Sequence, residues 1–125
     1  MARLVVDRED VVVRLSGRER LLARRRELRV PLTAVKDVRV EPTWWRALRG
    51  SARPGRCSPG RYCLGEWQHA GGRDYVAVRA DLPVVLVDLW PSAPFARLAV
   101  SVPDPESVAQ AIRRRRDEQA RARQR

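Results

Sequence analysis

The sequence is poor in the side chains that usually carry chemistry. In 125 residues there is one histidine, His69, and there are two cysteines, Cys57 and Cys63. A Ser-His-Asp or Cys-His relay would have to be built on that one imidazole, and the chain has no nucleophile elbow, phosphate-cradling glycine loop or metalloprotease helix motif. Long apolar runs are missing too. The longest, Val84-Val-Leu-Val87, falls far short of the roughly 20 residues a membrane helix needs, and the start Met-Ala-Arg-Leu-Val-Val-Asp lacks the apolar region of a signal peptide. A soluble, cytoplasmic protein is therefore expected. Two cysteines agree with a reducing compartment, since a disulfide between them would close only a small loop. Lysine is also scarce, with Lys36 the only one among 26 basic residues. An arginine bias of that kind follows from the codon usage of a high-GC genome, which makes it a weaker sign of phosphate binding than the bare count suggests.

What the sequence has is positive charge and strand periodicity. The net charge of +11 is unevenly placed: fifteen basic residues against seven acidic in 1–60, four against four in 61–103, and seven against four in 104–125. Basic ends around a neutral middle can attract phosphate-bearing partners, either nucleic acid or an anionic lipid surface, although a solvated surface is the simpler account. The length fits one domain, large enough to bury about two-thirds of its unfolded surface.

Leu4 to Val6 and Val11 to Leu15 flank the polar turn Asp7-Arg8-Glu9-Asp10 and predict an opening hairpin. Ser16 and Glu19 have capping-box spacing ahead of Leu21 and Leu22, which predicts a short basic helix over about 17–25. Leu28 to Val30 and Val35 to Val40 are further strands, the first placed at an edge or strand end by Pro31. Gly50, Pro54-Gly55 and Pro59-Gly60 punctuate a long surface connection over 46–62. Tyr62 to Gln68 and Asp74 to Arg79 read as a hairpin joined through His69-Ala70-Gly71-Gly72-Arg73, followed by a strand over 84–90 and a last one from Leu98 to Val102. That strand runs into a well-signalled helix, with Asp104 as cap and Pro105 at the first helical position. Val108 and Ile112, with Ala111 beside them, are its expected anchors. About seven or eight antiparallel strands and one C-terminal helix predict a mainly β fold, a small barrel or sandwich capped by the helix. Residues 1–112 make up the domain, including the start of the helix, and 113–125 form a basic helical extension or tail that projects into solvent or reaches another chain.

At Val30-Pro-Leu-Thr-Ala-Val-Lys-Asp-Val-Arg-Val40 the chain resembles the bacterial pleckstrin-homology-like (PH-like) families, in which a strand ends in a proline-leucine pair, one turn follows, and the next strand begins. The terminal helix is similar as well. More narrowly, Trp45-Arg-Ala-Leu-Arg-Gly50, the two Pro-Gly pairs, Leu64-Gly65, Gly71-Gly-Arg-Asp-Tyr75 and Ser101-Val-Pro-Asp-Pro105 look like small proteins of high-GC bacteria without an assigned function. The resemblance implies a barrel of two bent sheets plugged at one end by the helix, and it carries no catalytic motif.

Cys57, Cys63 and His69 are evenly spaced, but not as the short Cys-Cys pairs of structural zinc sites are, and a fourth ligand would have to be Glu66 or Asp74. A thiol pair and a turn histidine are the simpler reading, so no metal or other cofactor is expected. The best recognition candidate is Trp44-Trp45. With Thr43 capping a short helix that ends near Gly50, Trp44, Trp45 and Leu48 share one face, with Arg46 and Arg49 opposite. Together with Arg53 they offer apolar anchors inside a basic rim, unless both rings simply cover an open barrel end. Trp67 and Trp90, within alternating strands, are expected in the core or in cross-strand pairs. The reading is a noncatalytic PH-like interaction module that binds a protein, its own copies included, or an anionic membrane surface. The alternative is a nucleic-acid-binding protein in which Arg113, Arg114, Arg115, Arg116 and the arginines between Arg18 and Arg29 contact phosphate.

Overall fold

Alternation at the start of the chain builds the predicted hairpin. β1 (Arg3–Asp7) and β2 (Asp10–Arg14) pair antiparallel with Leu4 opposite Val13 and Val6 opposite Val11. Arg8, at φ +57°, takes the left-handed conformation that a two-residue hairpin turn demands. The computed structural model describes residues 2–16, 27–52, 57–58 and 61–124, so the helix predicted over 17–25 lies outside the described residues. β3 (Glu27–Pro31) adds to β2 and completes a three-stranded sheet in the order β1-β2-β3. Pro31 ends this edge strand, where a missing N–H breaks no ladder. One 3₁₀ turn, Leu32–Ala34, then carries the chain into β4 (Val35–Glu41).

The second sheet has seven strands. β4 is joined by β5 (Ser51–Ala52), β6 (Cys57–Ser58), β7 (Tyr62–His69), β8 (Gly72–Arg79), β9 (Val84–Leu89) and β10 (Arg97–Ser101). Their order is β4-β9-β10-β8-β7-β5, with β6 also on β7. Three expectations need correction. Neither sheet closes, so the fold is mainly β with two open sheets rather than a closed barrel. The strands exceed the expected seven or eight because β5 and β6, two residues each, have no periodicity to read; they build part of the supposed surface connection into the sheet. The sheet is not wholly antiparallel either. β10 turns back from β9 into the place between β9 and β8 and lies parallel to β8, with Leu98 beside Tyr75. The β7–β8 hairpin is as predicted but tighter, since His69 pairs with Gly72 and only Ala70 and Gly71 form the turn.

The central strands β8, β9 and β10 send alternate residues to two different cores. Tyr75, Ala77, Val85, Val87, Leu98 and Val100 face the three-stranded sheet, where they meet Leu4, Val11, Val13, Leu28 and Val30. Val76, Val78, Val84, Leu86 and Ala99 lie on the outer face, under a lid made by Trp44, Ala47 and Leu48. The helix, α1 (Pro105–Arg123), packs against β1, β4, β9 and the Leu32–Ala34 turn. Asp104 occupies its N-cap position without a side-chain capping bond, and Pro105 takes the first turn. Ile112 and Ala109 are fully buried and Val108 partly so; Ala111 is exposed, which corrects the expected register by moving the small anchor to position 109. No helix among the described residues is long and apolar enough to cross a membrane.

Candidate functional site: a charged groove at one end of the outer sheet face

The apolar lid covers only part of the outer face. Beyond it, the register places Asp37 opposite Asp88 across β4 and β9, Asp88 opposite Arg97 across β9 and β10, and Arg97 beside Asp74 across β10 and β8. Four charged side chains thus form one row across four strands. They belong to the same face as the outer core, one pleat repeat further along each strand.

The row holds itself together by sharing carboxylates. Asp88 Oδ1 accepts from Arg97 Nε at 2.6 Å and its Oδ2 accepts from Arg39 Nη1 at 2.6 Å, so one carboxylate bridges two guanidiniums. Asp74 is fully buried. It accepts a bidentate pair from Arg49, Nε at 2.8 Å and Nη2 at 2.7 Å, together with a bond from His69 Nε2 at 2.9 Å. His69 Nδ1 accepts from the Gly71 N–H at 3.1 Å, which fixes the ring hydrogen on Nε2 and aims it at Asp74. The hydrogen bond to Asp74 raises the Arg49 pKa above its ordinary value, against the opposing effect of burial. Lys36, Asp37, Arg39, Arg49, His69, Asp88 and Arg97 line a groove of about 540 Å³. At its rim Lys36 Nζ stands 5.3 Å over the ring of Trp90, which is 47% exposed. The expectation of a core role for Trp90 is corrected: β9 ends at Leu89, and the next residue leaves the sheet. Trp67 does pack on the outer core.

This arrangement reorders the candidates read from sequence. The segment from Trp44 to Ala47 is a 3₁₀ helix, and Thr43 makes no side-chain cap. With three residues per turn, position 47 rather than 48 lies under position 44. Trp44 and buried Ala47 therefore face the outer core, while Trp45 turns out and is 57% exposed. The single aromatic stripe expected of an α-helix is split, with one ring in the lid over the outer core and the other in solvent. Arg46 sits 5.5 Å over the Trp45 ring. Arg49 belongs to the groove instead, and Arg53 lies outside the described residues.

The basic tail is mostly committed to the protein itself. Arg113 donates from Nε to the Val38 carbonyl at 2.9 Å and adds an Nη2 bond to the same oxygen. Arg115 reaches the Arg8 carbonyl at 2.7 Å and Arg116 the Lys36 carbonyl at 3.2 Å. Only Arg114 of this run is exposed without a partner among the described residues. The tail expected to leave the domain is a continuous helix that is tied back to it as far as Arg116. In the first sheet Arg29 is likewise engaged, by Asp7 at 2.6 Å, Glu27 at 2.9 Å and Asp10 at 3.3 Å. Asp7 is held below the ordinary carboxylate range by its hydrogen bond from Arg29.

The cysteines also depart from expectation. Cys57 and Cys63 are direct cross-strand partners on β6 and β7, with Cα atoms 4.1 Å apart, and they form a disulfide rather than two free thiols. His69 is at the far end of β7, so the three residues weighed as metal ligands are not brought together. No family model matches the chain, and no curated protein or solved structure shows a significant similarity to it.

Proposed function

We propose that the chain is a noncatalytic PH-like interaction module whose partner is a protein, with the groove and the Trp90 rim as its working surface. The fold class supports this reading: two sheets, a Pro-Leu turn between β3 and β4, and a C-terminal helix. The observation that carries it is the rim itself, where an exposed tryptophan and a lysine stand at the mouth of an arginine-lined recess. Aromatic anchors beside desolvated arginines are the usual composition of interface hot spots. Recognition is favoured over catalysis because both nitrogens of the one histidine are already hydrogen-bonded, which leaves no imidazole nitrogen facing a substrate. A nucleic-acid reading draws less support, since three of the four arginines from 113 to 116 spend donors on backbone carbonyls.

The test is a photo-crosslinking amino acid at position 90 of the full chain, irradiated in the source cells. A discrete protein adduct that disappears with Arg39→Glu is the expected result. Adducts that form regardless of Arg39 overturn the reading. Vesicle-dependent sedimentation without any adduct transfers it to an anionic membrane.

A further inference from the structure

We propose that the floor of the groove is a subsite for one carboxylate group, centred on Arg97 and Arg39. Assigning that carboxylate to an acidic side chain of a partner protein rests on the reading above; the subsite itself rests on geometry and charge.

Arg97 is the unusual member of the row. Its side chain is more than nine-tenths buried, yet the internal carboxylate takes only its Nε hydrogen. A guanidinium has five N–H donors arranged along two usable edges. The edge formed by the two terminal nitrogens of Arg97 makes no bond with a described residue. Neither terminal nitrogen is among the fully buried polar atoms that lack a partner, so this edge opens into the groove. Arg39 is in a similar position. It gives Nη1 to Asp88 and approaches Asp37 only at 3.9 Å, which leaves its other donors available. Two guanidinium edges, already oriented by a shared Asp88, are therefore preorganised at one place, and a planar oxyanion matches such edges bidentately.

Charge decides which oxyanion. Four cations, Lys36, Arg39, Arg49 and Arg97, meet three carboxylates, Asp37, Asp74 and Asp88, which leaves one positive charge unbalanced. A carboxylate neutralises it. A phosphate monoester, carrying about −1.5 to −2 at pH 7, overshoots and meets repulsion from Asp37 and Asp88.

The experiment follows the side-chain Nε–H resonances of Arg39, Arg49 and Arg97 by ¹⁵N NMR on the full chain, with sodium acetate and inorganic phosphate titrated separately at constant ionic strength. Acetate is expected to move Arg97 and Arg39 in a saturable way and to bind more tightly than phosphate. Arg39→Gln should weaken acetate about five- to tenfold, the loss of one charge-assisted bond at a partly exposed site. Replacing Arg97 risks the fold, so the second variant is Asp37→Asn, at an exposed position. It raises the surplus to two positive charges and is expected to reverse the order, with phosphate then tighter than acetate. The subsite is overturned if acetate moves neither arginine, if phosphate binds more tightly in the unaltered protein, or if Asp37→Asn leaves the order unchanged. Acetate binding without a photo-adduct at position 90 retains the subsite and removes the protein-partner reading, and the opposite pair of results removes the subsite alone.

Discussion

Substituting Asp for Ala109 and, separately, for Ala111 tests how α1 is docked. The two positions are two residues apart on one helix, Ala109 with no exposed surface and Ala111 on the solvent side. A carboxylate at 109 would enter a packed core where its basic neighbour one turn on, Arg113, is already committed to the Val38 carbonyl, which costs several kcal/mol if it stays charged. The protein has a cheaper escape, undocking the helix, and that sets the ceiling. Undocking exposes Ile112, worth about 2–3 kcal/mol, and adds roughly 1–2 kcal/mol for Ala109 and the buried part of Val108. Ala109→Asp should therefore lower stability by about 3–5 kcal/mol. For a domain of this size that corresponds to a fall in melting temperature of roughly 10–25 °C. Ala111→Asp should stay within about 0.5 kcal/mol, as surface substitutions do. Thermal and urea unfolding followed by circular dichroism, with proteolysis to report helix release, measures both. If Ala111→Asp is the damaging variant and Ala109→Asp melts like the parent, the register described for α1 is wrong.

Three further outcomes are expected. Trp45→Ala should leave the melting temperature almost unchanged, whereas Trp44→Ala should cost about 2–4 kcal/mol because it removes the main cover of the outer core; calorimetry on the two single variants separates them. Asp74→Ala should destabilise by about 2 kcal/mol, below the range for breaking a fully buried pair because Arg49 is partly exposed and can turn to water. Its Arg49 Nε–H signal should also exchange faster in NMR. Because the folded pKa of Asp7 is depressed, its pairing with Arg29 favours the folded state above the ordinary aspartate pKa and loses that effect as pH falls through the depressed value. A carboxyl-carbon NMR titration should place the Asp7 midpoint below the ordinary value, and Arg29→Gln should return it toward that value.

Periodicity made the long strands, the opening hairpin and the C-terminal helix readable, because each buries one face and the sequence records which. Pro31 and the Leu32–Ala34 turn were readable for a related reason, since proline restricts the positions it can occupy. The groove was not. Asp74, Asp88 and Arg97 lie in separate strands, and nothing local marks them as neighbours. They become a row only through the crossover that sets β10 between β9 and β8, a pairing that no single segment encodes. In the sequence Asp74 stands out only as a conceivable fourth metal ligand. The partial signal is the single charge in each of two otherwise uncharged strands, Asp88 in β9 and Arg97 in β10, which is costly unless the charges meet. The tryptophan pair departs from expectation for a different reason. Its segment is too short to hold more than one 3₁₀ turn, and the change from an α-helical period sends the two rings in opposite directions.

The arginines that hold α1 in place have a consequence for how the molecule meets its own copies. β4 is the outermost strand of the seven-stranded sheet, and a bare outer strand is a template on which another chain can extend the ladder. Arg113 and Arg116 occupy the Val38 and Lys36 carbonyls, the acceptors an incoming strand would need. The basic run therefore acts as a guard against strand-to-strand association. A chain shortened to end at Ile112 would keep its apolar helix anchors but bare that border, and its characteristic failure would be aggregation.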